Sequence, residues 1–437
     1  MLRTGSNRYP RFMRAGGKLG ARVVLSGAIL SLGLPGVACS DGSGAGALGA
    51  GEKGGAGGTG DGGAAEEAGV SGGEAGFVSL IPPIEWIGPL AGAGNPETVP
   101  SNGIPQNVSR SGHTATLLGD GRVLLAGGAR VSAADELGRS AELFEPDSAA
   151  FTLTGAMVER RVGHTATLLE NGTVLLVGGA ENAPSSTEIY DPATGVFFQG
   201  ASTLVPRSGH AASLLGDGRV LVTGGTGDAG EVETSAEIYD AELEAFVATG
   251  SMLEGRSGHT ATLLHDGRVL VVGGGSATAE LYDPLTETFG ATGEMAVPRG
   301  ESTATLLQDG TVLVAGFDLG VTPRAAVREG PWAERYDPVS GSFASAGTMG
   351  VLLLTHTATL LGDGRVLIVG GLEYIGGEFI ALPRNIASVY DPESSTFDAN
   401  EQGETEVRRE GGSTATLLPS GAVLVAGWNP AELVSVP

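Results

Sequence analysis

Cysteine is all but missing from this chain: there is one, Cys39, in 437 residues. No disulfide can form within the chain. Basic residues are also few, 25 Lys and Arg against 50 Asp and Glu, and six of them (Arg3, Arg8, Arg11, Arg14, Lys18, Arg22) fall before position 39. Removing that segment takes the net charge from −25 to −31. A surface of that sign repels phosphate backbones and anionic lipid headgroups, so nucleic-acid binding is not expected. Long apolar runs are lacking too. The stretch VVLSGAILSLGL, Val23 to Leu34, has twelve residues, whereas a membrane-spanning helix needs about 20. Aromatics make up 5% of the chain, which makes any concentration of them informative.

Twelve apolar residues behind an Arg-rich stretch have the length of a signal-peptide core. The run leads into PGVAC, ending at Cys39, and the arrangement resembles a bacterial lipoprotein signal, whose final Cys becomes the lipidated N-terminus. Ala38 fits that pattern, while Gly36 stands where Leu, Val or Ile is usual. The resemblance implies a signal peptide over 1–38, lipidation at Cys39, and a membrane-anchored lipoprotein of the periplasm or cell surface. The alternative is an ordinary secretory peptide and a secreted product. Residues 39–76 are nearly all Gly, Ala, Ser and acids, which cannot bury enough apolar surface to offset ordering entropy, and they read as a disordered tether.

Beyond the tether the chain repeats itself. A hexamer of the form HTATLL begins at His113, His164, His210, His259, Ser302, His356 and Ser413. Each copy is followed by a Gly-containing turn and an apolar run such as RVLLAGG or RVLVVGG. Asp-Gly or Asn-Gly between apolar runs predicts a hairpin with a primed turn, both central residues at positive φ. A third strand follows (AELFEP at 141–146, TEIYDP at 187–192, AERYDP at 333–338), often closed by a Pro that suits a turn. A fourth opens at Phe151, Phe197, Phe246, Phe289, Phe343 or Phe397. Four strands per unit of about 50 residues predict the blades of a propeller.

These residues resemble the kelch-repeat family: Arg-x-Gly-His, an apolar strand ending Gly-Gly, a Tyr-Asp-Pro turn and an aromatic in strand 4. The resemblance implies an all-β, seven-bladed kelch β-propeller of four-stranded antiparallel blades over 110–437, with repeats starting near 110, 161, 207, 256, 299, 353 and 410. It departs at blade 5, with Ser302 for His and Phe317 for the second Gly, and at blade 7, where Trp428 replaces that Gly. There are seven copies of strands 1 to 3 and six of strand 4. The last blade must therefore be closed by an N-terminal strand from the lead-in, 77–109, if no edge is to stay open. TVPSNG (Thr98 to Gly103) and IEWIGPL (Ile84 to Leu90) are the candidates, and six blades is the rival count.

The repeated polar residues invite chemistry. Five His, one per blade, would be spread around the ring, whereas zinc ligands converge to within about 2 Å of one ion, so neither a metal nor a cofactor is expected. The strand-3 carboxylates Glu142, Glu188, Glu237, Glu280 and Glu334 (and Glu432) occupy one environment copied along the chain, unlike a catalytic pair. They are expected to pair with Arg110, Arg161, Arg207, Arg256 and Arg299 and to tie blades together. Galactose oxidase carries a similar propeller, but its copper site depends on a tyrosine crosslinked to a cysteine, and Cys39 lies outside the repeats. No catalytic residue is identified.

Variation is confined to the 2-3 and 4-1 connections, which share one face. Blade 5 inserts FDLGVTPRAAVREGPW (317–332) and blade 6 inserts LEYIGGEFIALPRNI (372–386). Arg324, Arg328, Trp332, Tyr374, Phe379 and Arg384 in these inserts are residue types enriched at binding hot spots. The expected function is a monomeric, non-catalytic binding or scaffold protein of the bacterial envelope, recognising a protein or glycan through this face. A carbohydrate-acting enzyme on the same fold is the alternative.

Overall fold

Each repeat folds as four antiparallel strands, the first nearest the axis. In the second repeat these are Thr165–Leu168, Val174–Val177, Thr187–Asp191 and Val196–Gln199, paired in that order. The computed structural model describes residues 103–104, 110–128, 137–180, 183–318, 332–348, 353–370, 372–375, 378–397, 403–409, 412–427 and 430–436. The signal segment, Cys39, the tether and most of the lead-in lie outside these residues, as do Arg324 and Arg328.

Seven such blades make the propeller. The first strand of blade 1, Thr114–Leu117, packs against that of blade 2 on one side and against Thr414–Leu417 of blade 7 on the other. The ring therefore closes. Its closure uses Gly103–Ile104 as the fourth strand of blade 7, in register Gly103↔Glu432 and Ile104↔Ala431. Among the described residues, the last residue of TVPSNG is paired. The rest of that stretch and IEWIGPL lie outside the described residues.

The apolar run of strand 2 follows from its place between two neighbours. In blade 1, Leu124 and Ala126 belong to the cluster shared with Val174 and Leu176 of blade 2, while Val123 and Leu125 pack with Leu418 and Leu424 of blade 7. All four are fully buried. Period-2 alternation therefore sends side chains to opposite faces, both of them dry, and the polar exception, Thr223 in blade 3, has its hydroxyl bonded to His259 at 2.7 Å. Burying each Leu or Val contributes roughly 1.5–3 kcal/mol. Further out, six blades stack an aromatic of strand 3 on the Phe opposite it in strand 4, as in Tyr190 on Phe197 with ring centroids 4.6 Å apart.

The 1-2 turn differs from the one the dipeptide predicts. Only its Gly is left-handed (Gly121, φ 89°), and Asp120 is not. The Gly121 amide donates to Leu118 O and the Leu118 amide to Arg122 O, which is a three-residue loop with a left-handed Gly at its bulge rather than a two-residue primed turn. Asp120 Oδ1 accepts from the Arg122 amide instead. The Asp side chain closes the turn from outside.

Blade 6 departs from the pattern. Its third strand, Glu378–Asp391, runs for 14 residues and pairs with Leu372–Ile375 in a hairpin, register Leu372↔Pro383 and Ile375↔Glu378. Leu353–Leu354 adds to one side of the hairpin and Gly403–Arg409 to the other. The insert read as a loop is thus a sheet extension that draws in both neighbouring 4-1 links.

Candidate functional site

The repeat arginines and glutamates are locked together within their own blades. Arg161, fully buried, donates from Nε to Glu188 Oε1 at 2.9 Å and from Nη1 to the carbonyls of Gly178 (2.8 Å) and Ser186 (2.9 Å). Glu188 also accepts from the backbone amides of Val158 (2.6 Å) and Glu159 (3.0 Å) on the incoming 4-1 link. Arg110–Glu142 at 3.0 Å, Arg207–Glu237 at 2.8 Å, Arg256–Glu280 at 3.3 Å and Arg299–Glu334 at 2.8 Å repeat the plan. Burial pushes the Arg110 and Arg161 guanidinium pKa values down, against the pull of Glu142 and Glu188. Each pair docks an incoming link onto its own blade, where the sequence suggested a tie between blades. The arginine immediately precedes strand 1 of the blade whose strand 3 carries its partner.

The ties between blades fall to the histidines. His164 Nε2 shares a hydrogen bond of 3.0 Å with Thr114 Oγ1 of blade 1, His210 one of 2.9 Å with Thr165, and His113 one of 3.0 Å with Thr414 of blade 7. Burial, aided by the nearby guanidiniums, pushes His113, His164, His210 and His259 down to about 3, so these imidazoles are neutral at pH 7. Farther out, Tyr190, Tyr282 and Tyr336 hydroxyls bond to Thr154, Thr249 and Thr292 of the preceding blade. The Gly-Gly pairs make room for this. A Cβ on Gly178 (φ 66°) would sit 2.5 Å from Arg207 O and 2.9 Å from His210 Cε1 of the next blade.

Where the first strands begin, a cavity of about 270 Å³ opens on the axis. It is lined by Gly112, His113, Gly163, His164, Gly258, Glu301, Ser302, Thr303, Thr355, His356, Gly412, Ser413 and Thr414, so six of the seven blades reach it. The third residue of the Arg-x-Gly-His unit forms its rim in those six blades. Gly112, Gly163, Gly209, Gly258 and Gly412 hold that place with φ between 63° and 88°. Blades 5 and 6 put Glu301 (φ 46°) and Thr355 (φ 56°) there instead. Left-handed backbone is costly for a side chain of either kind, and strongly so for a β-branched one. Burial pushes the Glu301 carboxyl above the ordinary range, opposed by a hydrogen bond from the Thr355 backbone. Glu301 was not among the residues singled out from the sequence. The signal was its place as the third residue of the Arg-x-Gly-His unit, which is Gly in five of the seven blades.

Of the residues singled out for binding, Trp332, Tyr374, Phe379 and Arg384 are among those described. Trp332 is 9% exposed, and its carbonyl accepts from Arg299 Nη1 at 3.2 Å, so it is packed at the base of the blade 5 insert. Tyr374, Phe379 and Arg384 fall on the blade 6 extension, in strands Leu372–Ile375 and Glu378–Asp391.

No protein-family model and no curated protein matches the chain. Among solved structures it is similar to a fungal alcohol oxidase of the AA5 family in complex with copper, at 16% identity and a TM-score of 0.62, over 77% of this chain and 75% of that one. The described residues do not fit a copper site. No group of three or more His, Cys, Asp or Glu among them could hold a metal ion, and the Nε2 atoms of His113 and His164 at the cavity are already bonded to threonine hydroxyls. What the chain shares with the AA5 oxidase is the fold, a seven-bladed β-propeller.

Proposed function

We propose that the protein is a kelch-type propeller of the bacterial envelope, exported through a signal segment at 1–38 and anchored at Cys39. In this reading it binds a protein or glycan partner through the face of the 2-3 and 4-1 connections. The observation that carries this reading is the blade 6 extension. It is built on that face alone, it recruits both flanking links, and its sequence concentrates Tyr374, Phe379 and Arg384 in a chain with few aromatics. The repeated polar residues are, by contrast, engaged in holding the ring and leave recognition to this face.

The test is capture from envelope extract by the immobilised full chain, identification of what is retained, and reconstitution with the purified partner. Substituting Ala at Tyr374 and Arg384 is expected to abolish the reconstituted complex. An unchanged complex would move the site elsewhere. A second reading, a carbohydrate-acting enzyme, has one observation in its favour, the buried Glu301 carboxyl in an axial cavity. Glycoside cleavage ordinarily uses two carboxyl groups, and Glu301 is the one that lines this cavity among the described residues. Release of reducing sugar from envelope glycans, lost in Glu301→Gln, would support that reading over the first.

A further inference from the structure

The axial cavity has features that the propeller itself does not need. Among the described residues six that are not glycine have positive φ; Ala149, Glu244, Glu287 and Ser395 sit in the 3-4 turns, and the other two are Glu301 and Thr355 on the cavity rim. Five other blades show that Gly serves at that position without strain. Glu301 also lies within a bulge: in the pairing of Arg299–Leu306 with Val312–Asp318 the register shifts between Gly300 and Thr303. Bulges re-aim side chains and recur beside functional sites. Next to it Ser302, 8% exposed, lines the cavity, while its Oγ is buried towards Gly273 of blade 4 and has no hydrogen-bond partner among the described residues.

The chemistry of the lining selects the ligand. One carboxyl group faces hydroxyls and neutral imidazoles, and no Lys or Arg is among the described lining residues. The nearest guanidiniums are committed to the glutamates of their own blades. A carboxylate withdrawn from water without a counter-cation is unfavourable, and burial accordingly raises its pKa. An anion would meet the same carboxylate and a chain of net charge −25, a field that concentrates cations.

We propose that the axial cavity is a binding site for the primary ammonium group of a small molecule, held by the Glu301 carboxylate. The ammonium supplies the missing counter-charge, and its three N–H donors match a lining rich in oxygen acceptors. The site is independent of the partner surface proposed above and would stand if that surface bound nothing.

Calorimetric titration of the full chain tests it. The probes are ethanolamine, 1,4-diaminobutane and glucosamine, each beside its hydroxyl counterpart: ethylene glycol, 1,4-butanediol and glucose. At least one amine is expected to bind one to one, about tenfold or more tighter than its counterpart, and to weaken at least about tenfold in Glu301→Gln. Glu301→Gly, which restores the residue used by the other blades, is expected to melt no lower than the parent and to lose the amine. That variant separates loss of the site from loss of the fold. Binding unchanged in either variant, a diol or glucose that binds as well as its amine, or no binding of any amine at millimolar concentration would each overturn the proposal.

Discussion

Glu188→Gln removes one charge from a pair in which both partners are fully buried. The glutamine keeps the shape but offers one acceptor oxygen where the carboxylate serves three donors: Arg161 Nε at 2.9 Å and the amides of Val158 and Glu159 at 2.6 and 3.0 Å. Its NH₂ must then face another donor, and the guanidinium is left buried without its counter-charge. Breaking a buried pair in this way costs about 3–5 kcal/mol. Over a propeller of about 330 residues the unfolding entropy is about 0.7 kcal/mol/K. A loss of about 4 kcal/mol therefore lowers the melting temperature by about 6 °C. The control is Asp217→Asn, which breaks a pair with Arg219 at 2.8 Å whose Asp side chain is 47% exposed. Exposed pairs contribute about 0–1 kcal/mol, so this variant should melt within about 1–2 °C of the parent. Both are measured by calorimetry and urea titration of the full chain. A Glu188→Gln variant no less stable than the Asp217→Asn control would refute the view that these pairs lock the blades.

Two further outcomes follow from the ring. Gly178→Ala places its Cβ against Arg207 O and His210 of the next blade, whereas Gly172→Ala, also left-handed (φ 84°), meets nothing within 4 Å. The first should lose well over about 2 kcal/mol in urea titration and the second about 1, the cost of the backbone alone. The buried histidines make the fold acid-sensitive. With folded values of about 3 against 6.5 for the free side chain, the unfolded chain binds more protons between those limits. Stability is then retained above about pH 6.5 and lost as pH falls towards 3, by about 1.4 kcal/mol per pH unit for each histidine. His164→Ser, which copies Ser302 and Ser413 of blades 5 and 7, should therefore reduce the loss between pH 7 and pH 5 by about 2 kcal/mol. An unchanged pH profile would contradict the neutral, buried assignment.

The ring was legible in the sequence because its determinants are local and copied. Apolar runs between Gly-containing turns give strands, and a count of seven third strands against six fourth strands requires closure from the N-terminal side. Gly103–Ile104 supplies it with only two residues, too few to stand out from a Gly- and Pro-rich lead-in. The turn type was misread because Asp-Gly is compatible with both hairpin loops, and the choice rests on one extra residue before the next strand. The blade 6 hairpin left a signal in YIGGEF, two glycines between apolar residues, but the long insert around it read as a loop. Glu301 was hidden for a different reason. The repeat alignment shows Glu301 in a place that five blades give to Gly, but no propensity places a glutamate at left-handed φ, so the strain and the cavity beside it emerge only from the structure.

The account divides the molecule into repeated residues that hold the ring and a single face that recognises something. The most direct measurement pairs melting temperature with affinity for the reconstituted partner in two variants, Glu188→Gln and Tyr374→Ala. The division predicts that Glu188→Gln melts about 6 °C lower yet binds as the parent does at a temperature where it is folded, while Tyr374→Ala melts unchanged and loses binding. A folded Glu188→Gln that cannot bind, or a Tyr374→Ala that binds as well as the parent, would contradict it.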